Sequence, residues 1–208
     1  MDLASPSLPL EWGVAAQAAP QQSVNGDAHL MLPTSTGLLF AVVDGAGHGP
    51  EAAHAAELAV NALREAPEQS VIAHLHGCHA ALAGSRGAVM TLADYHQTEH
   101  TVTLCGIGNV EAVLFRARPA SGSARQEAAM LRGGVVGAHL PEPFATIVPV
   151  HGGDVLVMAT DGLRHDFTAE TVLRSPPRQS AGALLKKHAR GNDDAVVLVV
   201  RFPEPRHE

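Results

Sequence analysis

Aspartates recur in this chain where apolar strands begin or end. Asp44 closes LLFAVVD, Asp161 closes DVLVMATD, Asp193 and Asp194 open DDAVVLVV, and Asp27 opens DAHLML. Carboxylates are a poor way to build a core, because a buried charge without a partner is expensive. They are a good way to hold divalent cations. Where several converge, each pair at about 4 Å repels by about 4 kcal/mol at an effective dielectric near 20. A bound divalent ion removes that cost, and all-oxygen donors select hard ions such as Mg²⁺ or Mn²⁺. Glycines follow Asp44 and Asp161. Without a Cβ, Gly45 lets its carbonyl come close to an ion or its hydration water. One Asp-Gly pair by itself is better read as a turn cap; turn capping is the weaker account of acidic residues at several strand ends.

Such a site needs strands whose ends meet. Alternation and turn residues predict strands over 10–18, 28–32, 37–43, 88–94, 101–105, 110–116, 129–131, 146–150, 155–159 and 195–202. A helix is predicted from Pro50 to Ala66, with Ala52, Ala53, Ala56, Ala59, Val60 and Leu63 on one stripe. A second covers Glu68 to Ala83, and helical pieces follow over 163–167 and 180–190. Strands succeed one another in hairpin fashion, with helices inserted early and late, so the fold class is α+β. The simplest packing is two antiparallel sheets face to face with helices on their outer faces. Residues 1–9 read as a flexible leader, 10–202 as a single domain, and 203–208 as a tail. Pro119 to Gln126 reads as the loosest internal loop.

The chain has 208 residues, enough for a sizeable core, and 46% are hydrophobic. A net charge of -7 argues against nonspecific nucleic-acid binding, which needs clustered Lys and Arg. Cys78 and Cys105 do not make a disulfide framework and are expected as reduced, buried thiols. Neither a signal peptide nor a transmembrane run is expected, which points to the cytoplasm and away from membranes. His74 and Cys78 share a helix face at zinc-ligand spacing, but no second pair matches, so an exposed histidine face is expected instead. GAGHGP is no phosphate-binding P-loop, since no Lys-Ser/Thr follows.

Taken in order, DGAGHGPEAA, GIGNVEAVL, GGVVGAHLP, GDVLVMATDGL and GNDDAVVLVV resemble the motifs of metal-dependent Ser/Thr protein phosphatases of the type 2C (PPM) family. The similarity is to the SpoIIE-like branch, and within it to short RsbX-like stress-response phosphatases. The resemblance runs from about Trp12 to Arg201. It implies an αββα sandwich of two antiparallel sheets flanked by helices, with two divalent cations, Mn²⁺ or Mg²⁺, at one edge. Asp44 would bridge both ions, the Gly45 carbonyl would bind one, and Asp161 and Asp193 would complete the second. Asp27 would act near the ions, directly or through water, and Asp194 fits the companion acidic position. The implied reaction is hydrolysis of phosphoserine or phosphothreonine by metal-activated water, with no covalent enzyme intermediate. The implied substrate is a phosphorylated STAS-type anti-sigma antagonist or a stressosome subunit.

The chain departs from the family in places. Eukaryotic members carry a candidate acid histidine where this chain has Ala46; His48 lies two residues on. Their phosphate-binding arginine has no counterpart near Gln21, Gln22 and Ser23, and Arg86 in GSRGAVM is the alternative contact for the substrate phosphate. Val196 stands where Thr or Ser is usual. Two other functions stay open: a non-catalytic phosphoprotein-binding module with the same fold, and a hydrolase of small phosphate esters.

Overall fold

Strand parity organises this molecule. In β-strands alternate residues face opposite sides. The strand 37–45 is buried almost throughout: Leu38, Phe40 and Val42 enter one apolar cluster while Leu39, Ala41 and Val43 enter another. The final strand behaves alike, with Val196, Leu198 and Val200 facing one layer and Ala195, Val197 and Val199 the other. Continuous apolar runs are what a strand covered on both faces requires.

The fold is a computed structural model describing residues 10–119, 124–169 and 174–203. The expected leader, the centre of the expected 119–126 loop and the tail beyond residue 203 lie outside the described residues. In chain order the elements are β1 (Glu11–Gln17), β2 (Asp27–Pro33), β3 (Gly37–Gly45), α1 (Pro50–Glu65), α2 (Val71–Ala81), β4 (Ala88–His96), β5 (Thr101–Ile107) and β6 (Glu111–Phe115). There follow β7 (Gln126–Ala128), β8 (Leu131–Arg132), β9 (Thr146–Pro149), β10 (Val155–Ala159), a 3₁₀ turn (His165–Ala169), α3 (Pro177–His188) and β11 (Ala195–Arg201).

One sheet runs β1-β11-β10-β6-β7 and the other β2-β3-β4-β5-β8, with β9 also paired to β5. Phe40, Val42, Leu156, Met158 and Leu198 fill the layer between them. Helices α1 and α2 cover the β2–β5 sheet through Ala56, Ala59, Leu63 and Leu75. Helix α3 covers the other sheet through Ala181 and Leu184. The αββα sandwich is therefore observed.

Details differ from the sequence reading. Residues 129–131 do not form one strand; β7 and β8 flank Ala129 and Met130, and β8 runs parallel to β5, the exception to antiparallel strand pairing among the described residues. Ala55 rather than Ala53 is among the buried residues of α1. Helix α2 begins at Val71 because Ser70 caps it, accepting the Ala73 N–H at 3.3 Å. Glu68, expected inside that helix, instead caps the β2–β3 turn by accepting hydrogen bonds from the Ser35 N–H and hydroxyl. The histidines of α2 are not a uniformly exposed face: His74 is buried, while His79 accepts the Gly137 N–H at 2.9 Å. Cys78 and Cys105 are free and buried.

Candidate metal centre

The acidic residues lie where the inter-sheet layer runs out of apolar side chains. Parity puts them there. Asp44 continues the Leu38, Phe40, Val42 series of β3; Asp194 continues Val196, Leu198 and Val200 backwards from β11; Thr160 continues Leu156 and Met158 beyond β10. Asp27 stands directly opposite Asp44 in the antiparallel β2–β3 register. Like charges directly opposed across strands are destabilising, so this pair is not there for the sheet. Asp161 and Asp193 sit one residue off these series, on the adjoining turns.

Together Asp27, Asp44, Asp161, Asp193 and Asp194 line one open cavity of about 290 Å³, with Ala46, Gly47, His48, Val89 and Asn109. Among the described residues, no three His, Cys, Asp or Glu side chains close on a single point as a finished ligand set. The carboxylates surround a shared space instead.

The local chain explains the shape of the rim. After Asp44, β3 ends on Gly45, where a Cβ would run into the Ala52 carbonyl of α1. That glycine lets helix and strand end pack closely; it is buried and does not itself line the cavity. Gly47 has φ 94°, a left-handed turn that favours glycine. Pro50 then opens α1, which points its N-terminus toward the turn.

The electrostatics are those of an uncompensated cluster. Burial, and then the charges of Asp27, Asp161, Asp193 and Asp194, push the Asp44 carboxyl up to about 8. Burial pushes Asp27 up to about 7; a hydrogen bond from Thr160 opposes this, and Asp194, Asp161 and Asp193 add to it. The Oδ2 atoms of Asp27 and Asp194 are buried without a hydrogen-bond partner. Buried polar atoms are normally satisfied. Oxygen-only donors with orphaned, mutually repelling carboxylates fit hard divalent cations.

Each carboxylate is held differently. The Ala19 N–H donates to Asp194 Oδ1 at 2.8 Å, tying the β1–β2 connection to the last motif. The Asp194 N–H donates to Asp193 Oδ1 at 2.9 Å. Asn109 Nδ2 donates to Asp161 Oδ2 at 2.8 Å. Arg190 Nε donates to the Asp161 carbonyl at 2.7 Å. The Thr160 hydroxyl accepts the Val196 N–H at 2.9 Å. Asn109, Thr160 and Arg190 escaped the sequence reading; Asn109 carried a signal, since it sits within GIGNVEAVL.

His48 is exposed on the rim of the cavity. Arg86 does not line it. Its Nε pairs with Glu51 in the first turn of α1, and its Nη1 lies over Gly47, 2.7 Å from where a Cβ would stand. Arg86 and Glu51 line a neighbouring cavity of about 490 Å³ with Pro50, His54, Gly84 and Ser85.

Comparison with known proteins agrees with this geometry. The family described as Stage II sporulation protein E (SpoIIE) matches residues 34–203. No curated protein sequence matches the chain. Among solved structures, one described as "The bacterial stressosome: a modular system that has been adapted to control secondary messenger signaling" is 26% identical, with a TM-score of 0.82 over 92% of this chain and 99% of that one. RsbX in complex with magnesium is 18% identical, with a TM-score of 0.80 over 92% and 94%. The catalytic domain of the serine/threonine phosphatase PstP, in complex with two manganese ions, is 19% identical, with a TM-score of 0.70 over 94% and 99%. The family match covers most of the chain, and the fold and the acidic cavity accord with it: the chain belongs to the SpoIIE family and is a metal-dependent protein phosphatase of the PP2C type.

Proposed function

We propose that the chain dephosphorylates phosphoserine or phosphothreonine on a small regulatory protein, a STAS-type anti-sigma antagonist or a stressosome component, in the cytoplasm. The observation that carries the reading is the gathering of Asp27, Asp44, Asp161, Asp193 and Asp194 around one cavity in a SpoIIE-family chain. The stressosome and RsbX relatives support the choice of substrate class. Among the described residues no helix is long and apolar enough to cross a membrane.

Asp27, Asp44, Asp161 and Asp193, with Asp194 alongside and the Gly45 carbonyl set back from the cavity itself, would hold two divalent cations, Mn²⁺ or Mg²⁺. When bound, such ions lower the pKa of water and draw charge from a phosphoryl group. The chain's own residues do the rest. Five carboxylates by themselves repel a phosphate dianion, so the cavity accepts substrate only once it is charge-compensated. Arg86, which lines the neighbouring cavity beside the Gly47 turn, would receive phosphate oxygens through its Nη atoms while Glu51 keeps its Nε. His48 stands at the mouth, where a leaving alkoxide would take a proton. The open cavity suits a phosphorylated side chain presented on a folded surface.

The test is Mn²⁺-dependent phosphate release from a phosphorylated STAS protein, run beside an aryl phosphate. Release from the protein substrate, abolished by chelator, is expected. Turnover of the aryl phosphate alone would make the chain a small-ester hydrolase. Turnover of neither by folded protein would make it a phosphoprotein-binding module.

A further inference from the structure

Asp161 is held unlike the other carboxylates of the cavity. Asp27 and Asp44 are fixed by the β2–β3 ladder, and Asp194 by the buried Ala19 N–H. Asp161 is exposed and lies on the turn after β10, beyond the reach of any strand pairing. Two residues from elsewhere in the chain immobilise it. Asn109, from the turn before β6, lines the same cavity and donates Nδ2–H to Asp161 Oδ2 at 2.8 Å. Arg190, from the segment leading to Asp193, donates Nε–H to the Asp161 carbonyl at 2.7 Å and its backbone N–H to the Gly162 carbonyl at 2.8 Å. The first bond fixes the rotation of the carboxylate and leaves Oδ1 for a cation. The other two lock the Asp161 turn to the segment that carries Asp193.

Resting on the reading of Asp161 as an ion ligand, we propose that Asn109 and Arg190 are positioning residues that set the spacing of Asp161 and Asp193 and so decide whether the second cation is retained. Neither needs to touch the ion. Donors that orient a metal-binding carboxylate typically matter by about 10–100-fold in metal affinity. Asn suits this role: it gives a hydrogen bond without adding another negative charge to a cluster that already repels itself. Arg suits its own: the Nε–H grips a carbonyl at a fixed angle, which an ammonium on a flexible stem does not.

The experiment is a calorimetric titration of the full-length protein with Mn²⁺, paired with electron paramagnetic resonance of the loaded protein. Asn109→Ala and Arg190→Ala are expected to weaken the second binding event by about 10–100-fold, to leave the first within a few-fold, and to lose the signal of coupled manganese ions. At saturating Mn²⁺, kcat returns toward wild type. Arg190→Lys keeps the charge and the backbone N–H but loses the Nε donor; it should weaken the second ion as Ala does, and it stays readable if the Ala variants do not fold. Asn109→Asp replaces the donor with a carboxylate and should also weaken binding. Tighter binding in that variant would make Asn109 a ligand and overturn the proposal, as would wild-type affinity for both ions in the Ala variants and Arg190→Lys. Asp161→Asn separates the two readings: if it too keeps both ions at wild-type affinity, the assignment of Asp161 as a ligand is at fault and the positioning roles go with it.

Discussion

Strand β10 is flanked by an aspartate at each end, and the two live opposite lives. Asp154, just before it, is 1% exposed, and each of its oxygens is used. Oδ1 accepts the Ala117 N–H at 2.8 Å; Oδ2 accepts from Arg116 Nη1 at 2.8 Å and from the His151 N–H at 3.1 Å. Arg116 is further held by Glu127 and by the Pro149 carbonyl. At the other end Asp161 joins four other carboxylates around a cavity that, among the described residues, no Lys or Arg lines, and Asp27 Oδ2 and Asp194 Oδ2 are buried without a hydrogen-bond partner. One end of the sandwich is closed by a charge network complete within the chain. The other is left for something from outside. The same residue type is structural where it is buried and an arginine guanidinium neutralises its carboxylate, and functional where it faces a cavity shared with four other acids and, among the described residues, no guanidinium pairs with its carboxylate.

That contrast breaks most sharply at Asp44. Asp44→Asn should reduce phosphate release to near background while the folded state persists, because it removes a ligand and a mutual repulsion together. Asp161→Asn and Asp193→Asn should follow. Thermal unfolding of the metal-free Asp44→Asn protein should occur at or above the wild-type temperature. Full activity in this variant would end the reading of the cavity as a metal centre.

Asp154→Ala should do the reverse. It leaves the Arg116 guanidinium with its partner of least exposure gone, and breaking a buried pair from one side costs about 3–5 kcal/mol. Denaturant unfolding should show that loss, while activity per folded molecule stays unchanged. A stability change under about 1 kcal/mol, the range of surface pairs, would mean that the two ends are not built differently.

The two ends were unequally legible in the sequence. The carboxylates of the metal end could be read because their place at the ends of apolar strands and an ordered set of motifs mark them; strand parity then explains why Asp44 and Asp194 face the inter-sheet layer, while Asp161 and Asp193 lie on the adjoining turns. The fold followed from the same runs. Apart from Asn109's place within GIGNVEAVL, the donors could not be read. Whether Asn109 reaches Asp161, or Arg190 grips its carbonyl, depends on which turns meet in space, and nothing local encodes that. The Asp154–Arg116 network was equally hidden, because Asp154 looks like any aspartate in a Gly-Gly-Asp turn. The strand expected over 129–131 was misplaced because the two or three residues of β7 and β8 on either side carry no periodicity; their pairing is imposed by β6 and β5.

The comparison sharpens with pH. Asp44 and Asp27 have folded-state values near 8 and 7, raised from about 3.8 by burial and neighbouring charge. The metal-free folded protein therefore holds protons that the unfolded chain releases. Their contribution to stability is present below about pH 4 and is lost as pH rises through 7 and 8. Unfolding of the metal-free wild type should show that decline, Asp44→Asn should show less of it, and saturating Mn²⁺ should flatten it by replacing protons with cations. An equal slope with and without Mn²⁺ would show that the ions do not bind at these carboxylates.

The smallest effect is expected at His48. A working general acid contributes about 10²–10⁴-fold, and it needs a ring held in one orientation. His48 is exposed on a glycine-rich turn, and among the described residues no hydrogen-bond partner fixes its imidazole. An unoriented ring near the leaving group can only share the proton transfer with solvent. His48→Ala should therefore lower kcat by less than about tenfold, under the range for a positioned acid, and should leave Mn²⁺ affinity and the acid limb of the pH–rate profile in place. A loss of a hundredfold or more, together with disappearance of the basic limb, would instead show that substrate binding orders the turn and turns the imidazole into the proton donor.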